Sequence, residues 1–209
     1  MKKFVKFLGI TVDNTPSWTQ HIDTIIPKYK LIQIFPKFIT CCTRNGVLCF
    51  FFHSVMSYGL IFGGNSTNSK CVFKLQKRAS RIIMGAKNNN SCREFFKLLK
   101  ILPLSGQYID SLLMFEVNNR NLFLDNADLY SIKTRNSYNL HPPLSHLTKY
   151  QNGVHYARIR VSIHLPTSIK STANETKVFK KTSKRFLMDN SFYSMDEFLI
   201  SRNKVYSRL

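Results

Sequence analysis

Acidic residues are scarce in this chain: eleven Asp and Glu stand against 31 Lys and Arg among 209 residues, a formal net charge of +20. Two-metal phosphoryl chemistry needs at least two carboxylates converging on cations. The only adjacent acidic pair is Asp196-Glu197, beside Phe198 and Leu199, where a place in the first turn of a helix fits better. A Walker loop, G-x-S-x-G and H-E-x-x-H are all missing, so no catalytic constellation rises above chance. Cysteine is sparse too. Five Cys, irregularly spaced, cannot make a disulfide scaffold. Cys41, Cys42, Cys49 and His53 cluster, but structural zinc needs a second ligand pair and none follows, so buried thiols are the expectation and no metal is assigned. Long apolar runs are also wanting. Residues 47–62 are the most apolar, yet His53, Ser54 and Ser57 interrupt them and a spanning helix needs about 20 apolar residues. A buried core helix is expected there, with a membrane span as the alternative. After the basic start Met1-Lys2-Lys3-Phe4, Asp13 and Asn14 come too soon for a secretory h-region. An intracellular place, nuclear or cytoplasmic, is expected, and Asn65-Ser66-Thr67 and Asn174-Glu175-Thr176 read as chance matches to the glycosylation pattern. No internal repeat or heptad array is present.

What is present suffices for a fold. Hydrophobic residues make up 44% and charged residues 20%, which separates the chain from a disordered basic tail. So basic a chain repels itself unless something acidic compensates: nucleic acid, an anionic membrane surface or an acidic protein face. Residues 4–12 are aromatic and β-branched and predict a strand, closed by a turn at Asp13-Asn14-Thr15-Pro16. Ser17 is placed to cap a helix starting near Trp18. Helical spacing then runs to about residue 117, interrupted by Pro27 and Pro36, each worth about 3 kcal/mol against a helix interior.

The clearest periodicity is at 70–85. Val72, Leu75, Ala79, Ile82 and Ile83 share one face, and Lys70, Lys74, Lys77, Arg78 and Arg81 the opposite one, with Ser69 as N-cap and Gly85 as stop. Ser91 is placed to cap a second basic helix carrying Arg93, Lys97 and Lys100. Residues 118–155, with seven Asn and Pro142-Pro143, read as an irregular polar connection. Over 156–165 the alternation of Ile159, Val161, Ile163 and Leu165 with Arg160, Ser162 and His164 favours a strand, with a short helix before Pro166 as the alternative. A last basic helix is expected at 177–188, where Val178, Phe179 and Phe186 face away from Lys177, Lys180, Lys181 and Lys184.

The predicted class is therefore mainly α (α+β). A β segment at 1–19 precedes a helical region at 20–117, a polar connection at 118–155 and a basic C-terminal region at 156–209. Basic stripes of this kind gain affinity for phosphates by releasing counterions. A solvated face and a membrane surface are the other readings. Tyr and Phe are plentiful enough for base stacking, although most Phe belong to the core.

Seven short segments, in order, resemble reverse transcriptases of non-LTR (LINE-type, jockey-like) retrotransposons. Residues 7–21 resemble that family's F-L-G-I-x-(I/V)-D…L-S-W-x-x-H-I segment. Ser54-Val55-Met56-Ser57-Tyr58-Gly59 is similar to its S-x-x-x-Y-G, Gln76 to Ile83 to its Q-K-R-A-x-R-I-I, and Ser91 to Phe96 to its S-C-R-x-x-F. Thr134-Arg135-Asn136, Leu165-Pro166 and Phe192 to Phe198 fit its C-terminal pattern. The chain departs from it at Gly63, in place of the usual Trp, at His164, in place of Asn, and at Pro27 and Pro36 within the thumb.

The resemblance implies that the chain starts at the primer grip, with Phe7, Leu8 and Gly9 as primer-grip residues, and continues into a helical thumb. The Tyr-x-Asp-Asp palm and its Mg²⁺ would lie outside it, leaving no cofactor and no polymerase activity in this chain alone. The implied partner is template–primer nucleic acid, an RNA–DNA hybrid or a DNA duplex, held by its backbone. The expected contacts are Phe7, Leu8, Gly9, Lys70, Lys74, Lys77, Arg78, Arg81, Lys177, Lys180, Lys181 and Lys184. The rival reading is a membrane-associated protein or a relic with no nucleic-acid role.

Overall fold

Apolar residues spaced three and four apart give a chain one stripe to bury, and the computed structural model is built from helices of this kind. It describes residues 4–7, 10–13, 20–24, 26–27, 57, 59–66, 68–130, 139–151 and 153–206. These are mainly helical. They form two units, Met1–Gln107 and Tyr108–Leu209, each with its own core.

In the first unit, strand β1 (Phe4–Phe7) pairs antiparallel with β2 (Ile10–Asp13), in the register Phe4↔Asp13 to Phe7↔Ile10. The single strand expected over 4–12 is thus two, and each half is the other's partner. Leu8 and Gly9, the 13–16 turn beyond Asp13, the Ser17 cap and Pro36 lie outside the described residues. So does most of the 47–62 run, whose last residues, from Leu60, enter a short helix, Leu60–Gly63. No helix among the described residues is long and apolar enough to cross a membrane.

Helix α1 (Ser69–Met84) buries Val72, Gln76, Ala79, Ser80 and Ile83. Leu75 and Ile82 are only half-buried, so the inward face is rotated toward two polar residues that the apolar pattern leaves out. Ser69 is the first helical residue and not the cap: its hydroxyl bonds the Ser66 carbonyl, and Asn68 caps without its side chain. The C-terminal stop is Gly85 at φ +63°, left-handed backbone that glycine adopts without a Cβ penalty. Helix α2 (Arg93–Leu98) returns across α1, with Phe96 fully buried and stacked on Phe73 at 6.3 Å. The unit boundary falls near the start of helix α3 (Leu104–Asn118).

The core of the second unit includes Ile109, Leu112, Leu113, Leu140, Ile159, Val161, Leu165, Leu187 and Phe198. Within the stretch read as an irregular connection, Arg120–Leu122 is a 3₁₀ turn, Asn126–Leu129 and Thr148–Gln151 are short helices, and Asp125 bridges Leu140. Residues 156–165 lie in a helix and not a strand. Helix α4 (Val154–His164) starts after an extended Gly153 and ends at an extended Leu165, the conformation Pro166 requires of the residue before it. Ala157, Arg158, Ile159 and Val161 are all buried, so α4 is covered around much of its circumference. A helix of that kind has no polar stripe to display, and the period-2 alternation carries no information about it. Helix α5 (Thr176–Asn190) buries Phe179, Ser183 and Leu187. Val178, expected to face inward, is 42% exposed, because it precedes the i, i+4, i+8 line of those three. Helix α6 (Met195–Tyr206) opens on a reciprocal cap. The Glu197 amide donates to Ser194 Oγ at 3.1 Å, and Glu197 Oε2 accepts from the Tyr193 amide at 2.8 Å. The only adjacent acids in the chain therefore start a helix.

Candidate nucleic-acid interface

At 100° per residue, Lys70, Lys74, Lys77, Arg78 and Arg81 lie within an arc of about 100° on α1, opposite its buried residues. From Lys70 to Arg81 the stripe rises ~16 Å, and no acid falls on this helix. The five are not equivalent. Lys77 Nζ sits 4.8 Å over the Phe73 ring, and Arg81 Nε donates to the Asn90 carbonyl at 3.1 Å, so both also hold the unit together. Lys70, Lys74 and Arg78 are exposed. They make no hydrogen bond or ion pair with any described residue.

What holds the helix in place lies on its other face. The Gln76 side chain, 1% exposed, donates from Nε2 to the Leu102 carbonyl at 2.9 Å and accepts at Oε1 from the Leu104 amide at 2.8 Å. Leu104 is the first residue of α3 and Pro103 before it has no N–H, so Gln76 satisfies a helix-start donor that the local sequence leaves open. Cys92 is buried, with Sγ 3.6 Å from the Lys77 carbonyl. Gln76 and Cys92 belong to the quoted family-like segments, and both are packing residues here.

The second basic surface is on α5. Lys177, Lys180, Lys181 and Lys184, with Arg185, fall within an arc of about 140°. Arg185 was not singled out in the sequence; its position four after Lys181 is the signal that could have found it. Asp110 on α3 tempers this surface: burial pushes its carboxyl upward, and the charges of Lys184 and Lys180 pull it down. Phe7 ends β1, while Leu8 and Gly9 lie outside the described residues.

A cavity of about 590 Å³ in the second unit went unread in the sequence; Glu116, Arg120, Asp125, Asn139, Ser162 and Lys170 are among its lining residues. Glu116 Oε1 accepts from Ser162 Oγ at 2.9 Å and faces Arg120 Nη1 at 3.5 Å. Arg120 Nη2 holds both oxygens of Asp125, at 2.5 and 2.7 Å. Lys170 Nζ donates to Asn139 Oδ1 and to the Ile163 carbonyl, each at 3.0 Å. Burial raises the Glu116 carboxyl above its usual range, against the pull of the Ser162 hydrogen bond and of Arg120, Arg158 and Lys170.

Because its folded pKa lies above the unfolded one, ionised Glu116 costs stability at neutral pH, and that cost fades as pH falls through the folded value. Glu116→Gln keeps the shape without the charge. It is expected to unfold at higher temperature than the parent at pH 7, with the gap closing by about pH 4. Thermal denaturation across pH checks this, and a variant less stable at pH 7 would contradict it.

Among the described residues no three His, Cys, Asp or Glu side chains are grouped to hold a metal ion, and Cys41, Cys42, Cys49 and His53 lie outside those residues. No protein-family model, curated protein or solved structure matches the chain.

Proposed function

We propose that this chain binds the phosphate backbone of a nucleic-acid duplex without regard to sequence, as the primer grip and thumb do in the LINE-type reverse transcriptases it resembles. The α1 stripe is the observation that carries the reading: five cations on one face, no acid among them, on a helix anchored from behind by Gln76. A helix anchored from behind presents its cations at a set spacing to a line of phosphates, and each contact releases counterions. The α5 stripe offers a second such surface, and the β1–β2 pair, which ends at Phe7 and resumes at Ile10, stands where the resemblance puts the primer grip. Polymerase chemistry is not part of the proposal. In the resembled family the palm supplies the carboxylates and Mg²⁺, and no residue here is assigned to that role.

The test is a titration of the folded protein against an RNA–DNA hybrid and a DNA duplex at 50 and 200 mM salt. One phosphate neutralised per stripe residue on α1 predicts a log–log salt slope near −4.5, at about −0.9 for each contact. Salt-insensitive binding, or none by a folded protein, would remove the nucleic-acid reading. Retention on anionic vesicles without duplex binding would move it to a membrane surface.

A further inference from the structure

Among the described residues of the second unit, two charged side chains bury polar atoms that have no hydrogen-bond partner: Asp110 at Oδ1, which faces the charges of Lys184 and Lys180, and Arg158. Glu116 has Ser162 and Arg120, and Lys170 has Asn139 and the Ile163 carbonyl. Arg158 on α4 is 1% exposed, yet its Nε and Nη1 have no hydrogen-bond partner and no carboxylate pairs with it among the described residues. Its guanidinium lies 2.9 Å from the Phe123 ring centroid and 5.2 Å from that of Phe115. Aromatic faces stabilise a cation, but they accept no N–H bond of the kind a planar fork is built to make. A buried guanidinium with open donors is costly to hold, and an anion relieves that cost best when it has two oxygens for the fork.

The surroundings narrow the anion. Phe115 and Phe123 lie on the guanidinium; His155, three residues before Arg158 on α4, is 5.4 Å from Phe123 and 6.3 Å from Tyr150, ring centre to ring centre, and carries the row of rings outward. His155 and Tyr150 are exposed, the latter by 41%. An exposed pair of rings beside a buried guanidinium offers a flat group a platform to stack on and its phosphate a fork to pair with, the two elements that single nucleotides require. The carboxylate nearest in influence, Glu116, is committed to Ser162 and Arg120.

We propose that Arg158 is the phosphate-holding residue of a nucleotide site in the second unit, with Tyr150 and His155 as the stacking platform for the base. Its ligand is a nucleoside phosphate, free or as one residue of a single strand. This is distinct from backbone contact along the basic stripes and stands or falls separately.

The experiment uses the full chain and three probes: inorganic phosphate, adenosine monophosphate and a six-nucleotide single-stranded RNA. Calorimetric titration should show adenosine monophosphate binding at least about tenfold more tightly than inorganic phosphate, because only the former stacks. A further gain for the RNA would assign the site to single strands; equal affinity would assign it to free nucleotides. Arg158→Met, close in volume and uncharged, should lose phosphate-dependent binding while unfolding at no lower temperature than the parent when no ligand is present. Tyr150→Ala with His155→Ala, both on the surface, should weaken adenosine monophosphate and leave inorganic phosphate unchanged. Lys70→Gln with Lys74→Gln and Arg78→Gln should leave the adenosine monophosphate affinity intact, and whatever RNA affinity it removes belongs to the stripe and not to this site. No binding by the parent at millimolar probe overturns the proposal. So does an Arg158→Met protein that is destabilised but binds as before, since Arg158 would then be a packing cation. Should that variant fail to fold, undiminished nucleotide binding by the Tyr150/His155 double variant overturns it equally.

Discussion

The triple variant Lys70→Gln, Lys74→Gln, Arg78→Gln is expected to fold as the parent does and to lose most of its salt-dependent affinity for duplex. These three side chains are exposed and make no hydrogen bond or ion pair with described residues, so their replacement should move stability by no more than about 0.5 kcal/mol. Three fewer phosphates neutralised lower the salt slope by about 2.7. Between 50 and 200 mM salt the parent should then weaken about 40-fold more than the variant. Circular dichroism establishes the fold, and titration at several salt concentrations measures the slope. An unchanged slope in a folded variant would mean that α1 does not touch the backbone. Lys77 and Arg81 are poorer choices for this test, because Lys77 lies on Phe73 and Arg81 bonds the Asn90 carbonyl. Their removal would mix binding with packing.

Gln76→Leu should cost the first unit a large loss of stability without opening a cavity. Leucine fills a similar space but can neither donate to Leu102 nor accept from Leu104. The Leu102 carbonyl keeps a second donor, Gln107 Nε2 at 3.0 Å. The buried Leu104 amide has no replacement, and a stranded buried donor costs about 1–3 kcal/mol. In a chain of this length a loss of ~2 kcal/mol lowers Tm by roughly 4–8 °C. Gln76→Glu should do worse: its carboxylate still accepts from Leu104 but faces the Leu102 carbonyl with a second acceptor and brings a buried charge. Thermal denaturation of the two variants decides. A Leu variant as stable as the parent would show that the Leu104 amide finds another partner.

The two basic helices were legible because 3.6-residue periodicity and segregated charge agree over four turns, and Gly85 marked an end that only left-handed backbone explains. Less legible was everything decided by a partner far away in the chain. Gln76 and Ser80 belong to neither the apolar nor the basic set on α1, since nothing in their spacing announces that the backbone at 102–104 needs an amide. Arg158 escaped notice for the same reason: polarity predicts exposure, and the exception is made by Phe115 and Phe123. The alternation in α4 imitated a strand because a helix covered on several sides carries no polar stripe. The 4–12 stretch has the β composition of one strand and the pairing of two, because composition reports β preference and not which strand is the partner. The cavity behind Glu116 draws on five stretches of chain, and of Glu116, Arg120, Asp125, Asn139, Ser162 and Lys170 in its lining just the first two, at i, i+4, are neighbours by spacing.

The amide of Gln76 couples events that would otherwise be independent. A surface helix of four turns ordinarily frays from its ends, on its own schedule. Here α1 cannot come away without stripping the Leu104 amide of its acceptor and the Leu102 carbonyl of a donor. The basic face and the start of α3 therefore open together, as one cooperative step, and in deuterated water the Leu104 amide would exchange at the rate at which the whole stripe lets go.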